Sequence, residues 1–301
     1  MSEASAASFQ GVFTALVTPM RVSDGAVLID EAALGRLVEA QLAGGVQGLV
    51  ACGTTGEAAT LSAEEQARVI RIVVETAAGR VPVLAGVGSP STSGSLSLGK
   101  TALSVGASGL LAVTPYYNRP PQEGLFQHFS SLCSLGAPIV LYNVPGRTGC
   151  DLLPETVARL VERPEIVALK EASGSVLRLQ ALSRLCGNRL TLLSGEDALN
   201  FALYCVGARG TISVLSNVAP QATVEVWQRF ASGDLATALA LHQRLGPLCD
   251  LLFCEPNPIP AKAALHRMGR MENVLRLPLV PMSPPLQTRL GAELSALGLL
   301  S

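Results

Sequence analysis

Eight short β-rich runs alternate with eight amphipathic helical runs along most of this 301-residue chain, and few folds accommodate that order. The strand-like runs occupy 12–18, 48–52, 83–87, 109–113, 139–143, 166–170, 190–194 and 210–214. Helical patterns fill the intervals at 30–43, 62–78, 95–104, 123–135, 154–161, 176–185, 198–206 and 219–231. Ser62-Ala-Glu-Glu65 is a capping box, and Asp30-Glu31 places acid in a first helical turn. Near-equal strand-plus-helix units predict an α/β fold, a (β/α)8 TIM barrel, rather than an open doubly wound sheet. The Gly-x-Gly-x-x-Gly fingerprint of the latter is missing after the first strand. With 49% hydrophobic but only 4% aromatic residues, the apolar mass is mostly Ala, Leu and Val, which suits a packed barrel interior.

The barrel is expected to use residues 11–232. The remainder, 233–301, is mainly helical at 234–251, 260–268 and 284–297. These stretches are too short and too rich in Leu and Ala to stand alone, so a C-terminal helical region packed on the barrel is predicted, a candidate for an oligomer contact. Residues 1–10 lack the basic start and hydrophobic core of a signal peptide and read as a frayed tail. A formal net charge of −1 offers no attraction to nucleic acid or an anionic membrane. No uncharged stretch of about 18 apolar residues offers a membrane span. Seven cysteines without a CxxC pair read as small hydrophobes in a reducing cytoplasm, and Cys249 and Cys254 are not expected to be bridged. His128, His242 and His266 fall singly, without the spacing of a zinc site.

In such a barrel the reactive residues gather at the C-terminal ends of the strands. The sixth strand ends in Lys170, and alternation predicts that Ile166, Ala168 and Lys170 share one face. An ammonium there must be desolvated or partnered, and a desolvated lysine can attack a carbonyl to form a Schiff base. On the strand alone, a lysine ending in solvent is the commoner outcome. The fifth strand ends in Tyr142, on the face of Val140. Neighbouring strands lie about 4.8 Å apart, so its phenol can approach the Lys170 amine and pass protons to a carbinolamine. A core tyrosine capping a loop carbonyl is an equal alternative.

The second strand runs into Gly53-Thr-Thr-Gly-Glu57, whose hydroxyls and N–H groups can hold a carboxylate, although a bare loop of this composition is as often an ordinary connection. The fourth ends in Thr114-Pro-Tyr116-Tyr117-Asn118, where a tyrosine can supply a second phenol or serve packing. After Tyr142 comes Asn143-Val-Pro-Gly-Arg147-Thr-Gly149, a stiff loop that suits an arginine fork on a carboxylate, against the commoner fate of a surface arginine. Gly195, in Ser194-Gly-Glu-Asp197, permits close ligand approach. Glu171 falls on the opposite face from Lys170 and is expected to have a structural hydrogen-bonding role.

Taken in order, Gly53–Glu57, Tyr116–Pro120, Tyr142–Gly149, Leu169–Gly174 and Glu255–Lys262 resemble the motifs of the dihydrodipicolinate synthase family. That family belongs to the pyruvate-dependent class I aldolases, which include N-acetylneuraminate lyase, and the resemblance runs from about Gly11 to the C-terminus. It implies that Lys170 forms a Schiff base with pyruvate and that the enamine attacks aspartate β-semialdehyde, a step of diaminopimelate and lysine biosynthesis. It implies a proton relay of Tyr142, Thr54 and Tyr117, with Tyr117 reaching an adjacent subunit's site. Thr54 and Thr55 would bind the pyruvate carboxylate, Arg147 that of the semialdehyde, and Gly195 and Ile212 the pyruvate moiety. It implies no metal or organic cofactor, a homotetramer built as a dimer of dimers, and a cytoplasmic enzyme.

Arg147 separates this reading from lyases acting on longer sugar acids, which generally lack it. Another pyruvate-dependent aldolase or lyase remains the alternative, and a non-catalytic barrel is a third reading. Where lysine-inhibited members carry Ser, His, His, Asn and Glu, this chain has Ala58, Ala63, Gln66, Pro90 and Gly94, with Tyr116 retained. Weak or absent lysine feedback is therefore expected.

Overall fold

The computed structural model describes residues 9–300. Its centre is a closed eight-stranded barrel, as the alternation predicts. The staves are β1 (Gly11–Ala15), β4 (Gly48–Ala51), β5 (Val83–Gly86), β6 (Gly109–Val113), β7 (Ile139–Asn143), β8 (Ile166–Glu171), β9 (Thr191–Ser194) and β10 (Gly210–Ser213), with β10 pairing back onto β1. Every pairing within the barrel is parallel. Both faces of each stave are covered, which is why these segments are continuous apolar runs rather than alternating ones.

The apolar residues divide into two bodies. Phe13, Val50, Leu84, Leu111, Val140, Ala168, Leu193 and Ile212 fill the barrel interior. A larger shell between staves and helices includes Leu49, Val83, Leu110, Leu141, Leu169 and Leu192. At about 1.5–3 kcal/mol for each large aliphatic side chain removed from water, these two bodies supply most of the driving force for folding.

Three features depart from the sequence expectation. The pairing of β7 with β8 slips after Ile139: Ile139 opposes Ile166, but Val140 opposes Ala168. This bulge gives two residues of β8 for one of β7 and reverses the alternation there. Ile166 consequently packs in the outer shell while Val167 and Ala168 face the interior, so Ile166 does not share the face of Lys170. Second, the first strand ends at Ala15, and the chain then forms a hairpin of β2 (Met20–Ser23) and β3 (Ala26–Ile29) where no strand was expected. Its turn is Asp24-Gly25, with φ of 51° and 79°, the left-handed pair that a tight hairpin requires.

Third, most of the tail expected over residues 1–10 lies outside the described residues, but Phe9 does not fray. It is 2% exposed and stacks on Phe13 with ring centroids 6.2 Å apart, an apolar plug before the first stave. Beyond the barrel, Leu235–Leu252 packs on Pro220–Ala231, and Ile259–Arg267 and Pro284–Ala296 pack on each other. All seven cysteines are free. Among the described residues no helix is long and apolar enough to cross a membrane.

Candidate active site

Tyr142 and Lys170 are register partners at the ends of β7 and β8. The Lys170 Nζ lies 4.4 Å from the centroid of the Tyr142 ring, so the amine rests against the ring face. Both side chains are buried, Lys170 with 6% exposure. Lys170 thus does not end its strand in solvent. Glu171, its neighbour on the other face, accepts from Asn143 Nδ2 and Ser173 N and pairs with Arg178 at 3.0 Å, the structural role expected of it.

Gly195 holds the lysine from the β9 side. Its N–H donates to Glu171 O at 2.8 Å, and a Cβ there would meet Ala172 Cβ at 2.6 Å and Lys170 Cε at 3.0 Å. Gly195→Ala is therefore expected to displace the amine and lower kcat/KM by about 10²-fold, and to lower the thermal midpoint as well, because the Ala172 Cβ can yield only with its backbone. Unaltered kinetics would show that Gly195 does not set the lysine's position. The carboxyl of Glu196 is raised above its ordinary range by burial, with the charges of Lys170 and Arg147 opposing the rise.

A cavity of about 460 Å³ opens beside this pair, lined by Thr54, Leu111, Tyr142, Val144, Arg147 and Tyr116 among others. The Gly53–Glu57 turn forms one wall. Its backbone closes on itself through Gly56 N to Gly53 O and Glu57 N to Thr54 O, both 3.1 Å, and Thr18 Oγ1 donates to Gly56 O at 2.7 Å. Cys52 and Glu57 flank it with φ of 54° and 55°. The turn is anchored from the C-terminal region. Glu57 is paired with Lys262, which is 0% exposed and donates from Nζ to Val274 O at 2.9 Å. Burial pushes the Lys262 ammonium down and the Glu57 charge opposes that. Such a buried pair is costly to break singly.

Arg147 lies in a one-turn helix, Pro145–Thr148, where a loop was expected; Pro145 at its start fixes the φ that a first turn needs. Its Nη2 donates to Asn257 O at 3.4 Å. Thr55 is buried and accepts from Asn257 Nδ2 at 3.0 Å. Ile212 lies in the barrel interior on β10. Of the predicted residues, Thr54, Tyr142 and Arg147 line the cavity, and Lys170, Gly195 and Ile212 lie in the barrel around it. Tyr117 is not brought in: it is 93% exposed, with φ of 75° and its N–H on Thr148 O. Sequence reasoning passed over Asn257 and Lys262 as individuals, although both fall in Glu255–Lys262.

Among the described residues no three His, Cys, Asp or Glu side chains are grouped to hold a metal ion. His128 meets Thr92 Oγ1 and is pushed by burial to about 4, and His242 and His266 meet backbone carbonyls.

A buried lysine at a stave end, set against a phenol ring at the mouth of a (β/α)8 barrel, is the arrangement of a class I aldolase-type enzyme. More narrowly, the chain belongs to the dihydrodipicolinate synthetase family, whose family model matches residues 8–297. It is 55% identical over 273 residues, 90% of each chain, to the 4-hydroxy-tetrahydrodipicolinate synthase of Sorangium cellulosum (strain So ce56). The structure superposes with a TM-score of 0.94 on a dihydrodipicolinate synthase from Thermotoga maritima, 43% identical, covering 97% of this chain and 99% of that one. It matches the chloride-inhibited enzyme from Acinetobacter baumannii complexed with pyruvate at a TM-score of 0.93 and 43% identity, over 97% of this chain and 99% of the other.

Proposed function

We propose that this chain is a 4-hydroxy-tetrahydrodipicolinate synthase, a lyase that condenses pyruvate with L-aspartate 4-semialdehyde through a Schiff base. The observation that carries this reading is Lys170 Nζ against the Tyr142 ring, beside a cavity that Arg147 also lines.

The amine of Lys170, neutral at the moment of attack, adds to C2 of pyruvate, and loss of water from the carbinolamine leaves a Schiff base. A proton leaves C3, the nitrogen takes up the electron pair, and the resulting enamine carbon bonds to the aldehyde carbon of the semialdehyde. The semialdehyde's own amine then adds to C2 and expels Lys170, which closes a six-membered ring and regenerates the enzyme. Tyr142 supplies and receives protons beside the nitrogen, with Thr54 linking it outward. Thr54 and Thr55 hold the pyruvate carboxylate, Gly195 and Ile212 bound its methyl and carbonyl end, and Arg147 holds the carboxylate of the semialdehyde. Tyr117 completes the relay in the site of an adjacent subunit. An exposed aromatic held in a left-handed backbone, which costs about 1–3 kcal/mol, supports a partner for it. A homotetramer working in the cytoplasm is the assembly we infer from the family.

Assay of the purified enzyme with pyruvate and aspartate semialdehyde, against pyruvate and sugar aldehydes, tests the substrate. Turnover of the sugar aldehydes in preference would replace this reading with that of another pyruvate-dependent aldolase.

Lysine is expected to leave the rate unchanged at millimolar concentration. The cavity runs on past Tyr116 to Ala58, Ala59, Leu61 and Leu98, and the amide N–H groups of Gln66 are spent on Ala58 O and Leu61 O. A ligand with two ammonium groups finds few acceptors on that wall. Strong inhibition of the initial rate by sub-millimolar lysine would contradict this.

A further inference from the structure

We propose that Asn257 is a positioning residue that orients the Thr55 hydroxyl as a donor toward the keto-acid carboxylate, through its side chain alone. The proposal rests on the assignment of Thr55 to that carboxylate. Asn257 is 6% exposed and precedes the helix Ile259–Arg267; its Nδ2 reaches Thr55 Oγ1 at 3.0 Å across 202 residues of chain. A threonine hydroxyl carries one hydrogen and two lone pairs, whereas a carboxylate can only accept. With a lone pair of Thr55 engaged by the amide, its hydrogen remains to be given, and the ligand that takes it must be an acceptor.

The two orientations of the amide differ in what they leave for the ligand. Asn257 Oδ1 is buried with no hydrogen-bond partner. Rotating the amide by half a turn would aim Oδ1 at Thr55, draw the hydroxyl hydrogen away from the ligand, and bury the amino group in the place of Oδ1 with two donors instead of one acceptor to satisfy. Each orientation leaves one polar atom of the amide unpaired, but only the one with Nδ2 on Thr55 leaves the hydroxyl hydrogen for an acceptor ligand.

Asn257 also meets the other half of the site, but through a different group. Its backbone carbonyl accepts from Arg147 Nη2 at 3.4 Å. A side-chain substitution thus removes the contact to Thr55 and leaves the carbonyl that faces Arg147. A residue that merely held the loop in shape would disturb both substrates together.

The test uses three variants of the full-length enzyme and two readouts: the pyruvate concentration giving half-maximal borohydride-trapped adduct, and KM for the semialdehyde. Asn257→Asp keeps the shape but turns the donor into an acceptor, which claims the Thr55 hydrogen and sets a negative charge near the carboxylate. It is expected to raise the pyruvate half-saturation about tenfold or more. Asn257→Ala leaves the hydroxyl free to rotate and is expected to raise it about threefold. Both should leave the semialdehyde KM within about twofold.

Thr55→Val tests the underlying assignment: an unchanged pyruvate half-saturation would overturn the role of Thr55 itself. If Thr55→Val raises it but Asn257→Asp does not, the assignment stands and the proposal fails. Equal effects of Asp and Ala at position 257, or a parallel rise in the semialdehyde KM, also overturn it. Should Asn257→Asp not fold, Asn257→Ala decides: a pyruvate-only effect supports the proposal, and no effect or a shared one rejects it.

Discussion

Lys170→Ala is expected to abolish turnover, with kcat/KM lowered by about 10⁴-fold or more, because in the proposed reaction its amine carries pyruvate covalently. The loss should be chemical rather than structural. Lys170 is buried at a stave end against Tyr142, and among the described residues no ion pair or hydrogen bond is built on its Nζ. Removing it leaves the Glu171–Arg178 pair, the Gly195 N–H bond and the interior cluster in place. Circular dichroism and the thermal midpoint should therefore stay close to those of the parent. Lys170→Arg is the sharper companion: it retains a cation, but a guanidinium is not deprotonated and cannot act as the nucleophile. Equal inactivity of both variants indicates a need for the amine; substantial activity in the arginine variant would indicate that Lys170 serves only as a charge.

Arg147→Ala should separate the two substrates. A fork of two charge-assisted hydrogen bonds onto a carboxylate contributes a few kcal/mol, so kcat/KM for the semialdehyde is expected to fall by about 10²-fold. Adduct formation with pyruvate should persist, because Lys170, Tyr142 and the Gly53–Glu57 turn are untouched. Arg147→Lys is expected to recover only part of the loss, since an ammonium presents a point charge instead of a planar fork. Equal loss of semialdehyde use and of pyruvate adduct would reject the assignment, and would point instead to the arginine's bond with Asn257 O as a structural tie.

The barrel was legible because a parallel stave, buried on both faces, is written as a short continuous apolar run between helical stretches. Local irregularities were less so. The bulge that moves Ile166 to the outer shell leaves no trace in the period of Ile166-Val-Ala-Leu-Lys-Glu, because every residue of that run is buried. The hairpin over Met20–Ile29 does carry a signal, Asp24-Gly25, but its first strand, Met20-Arg-Val-Ser23, is too polar and too short to stand out beside the barrel pattern. One aromatic next to a polar stretch has no periodic partner, so Phe9 reads as tail; its partner is Phe13, inside the barrel.

The site divides in the same way. Lys170 with Tyr142, and the turn containing Thr54 and Thr55, come from stave ends, which alternation and strand order locate. Contacts between distant segments do not follow from order. Asn257 with Thr55, Lys262 with Glu57, and Arg276 with Glu65 each join the C-terminal region to the mouth of the barrel across more than 200 residues. A polar residue in such a segment looks like surface until its partner is known. Tyr117 shows the opposite limit: its motif marks it for the site, and in this chain the residue is 93% exposed and outside the cavity.

The most direct measurement is peptide mapping of the protein after borohydride reduction in the presence of pyruvate. One pyruvate-derived label per chain, on the peptide containing Lys170 and absent from Lys170→Ala, is the expected result. A label on another residue, or none under conditions in which the enzyme turns over, would contradict the Schiff-base reading of this barrel.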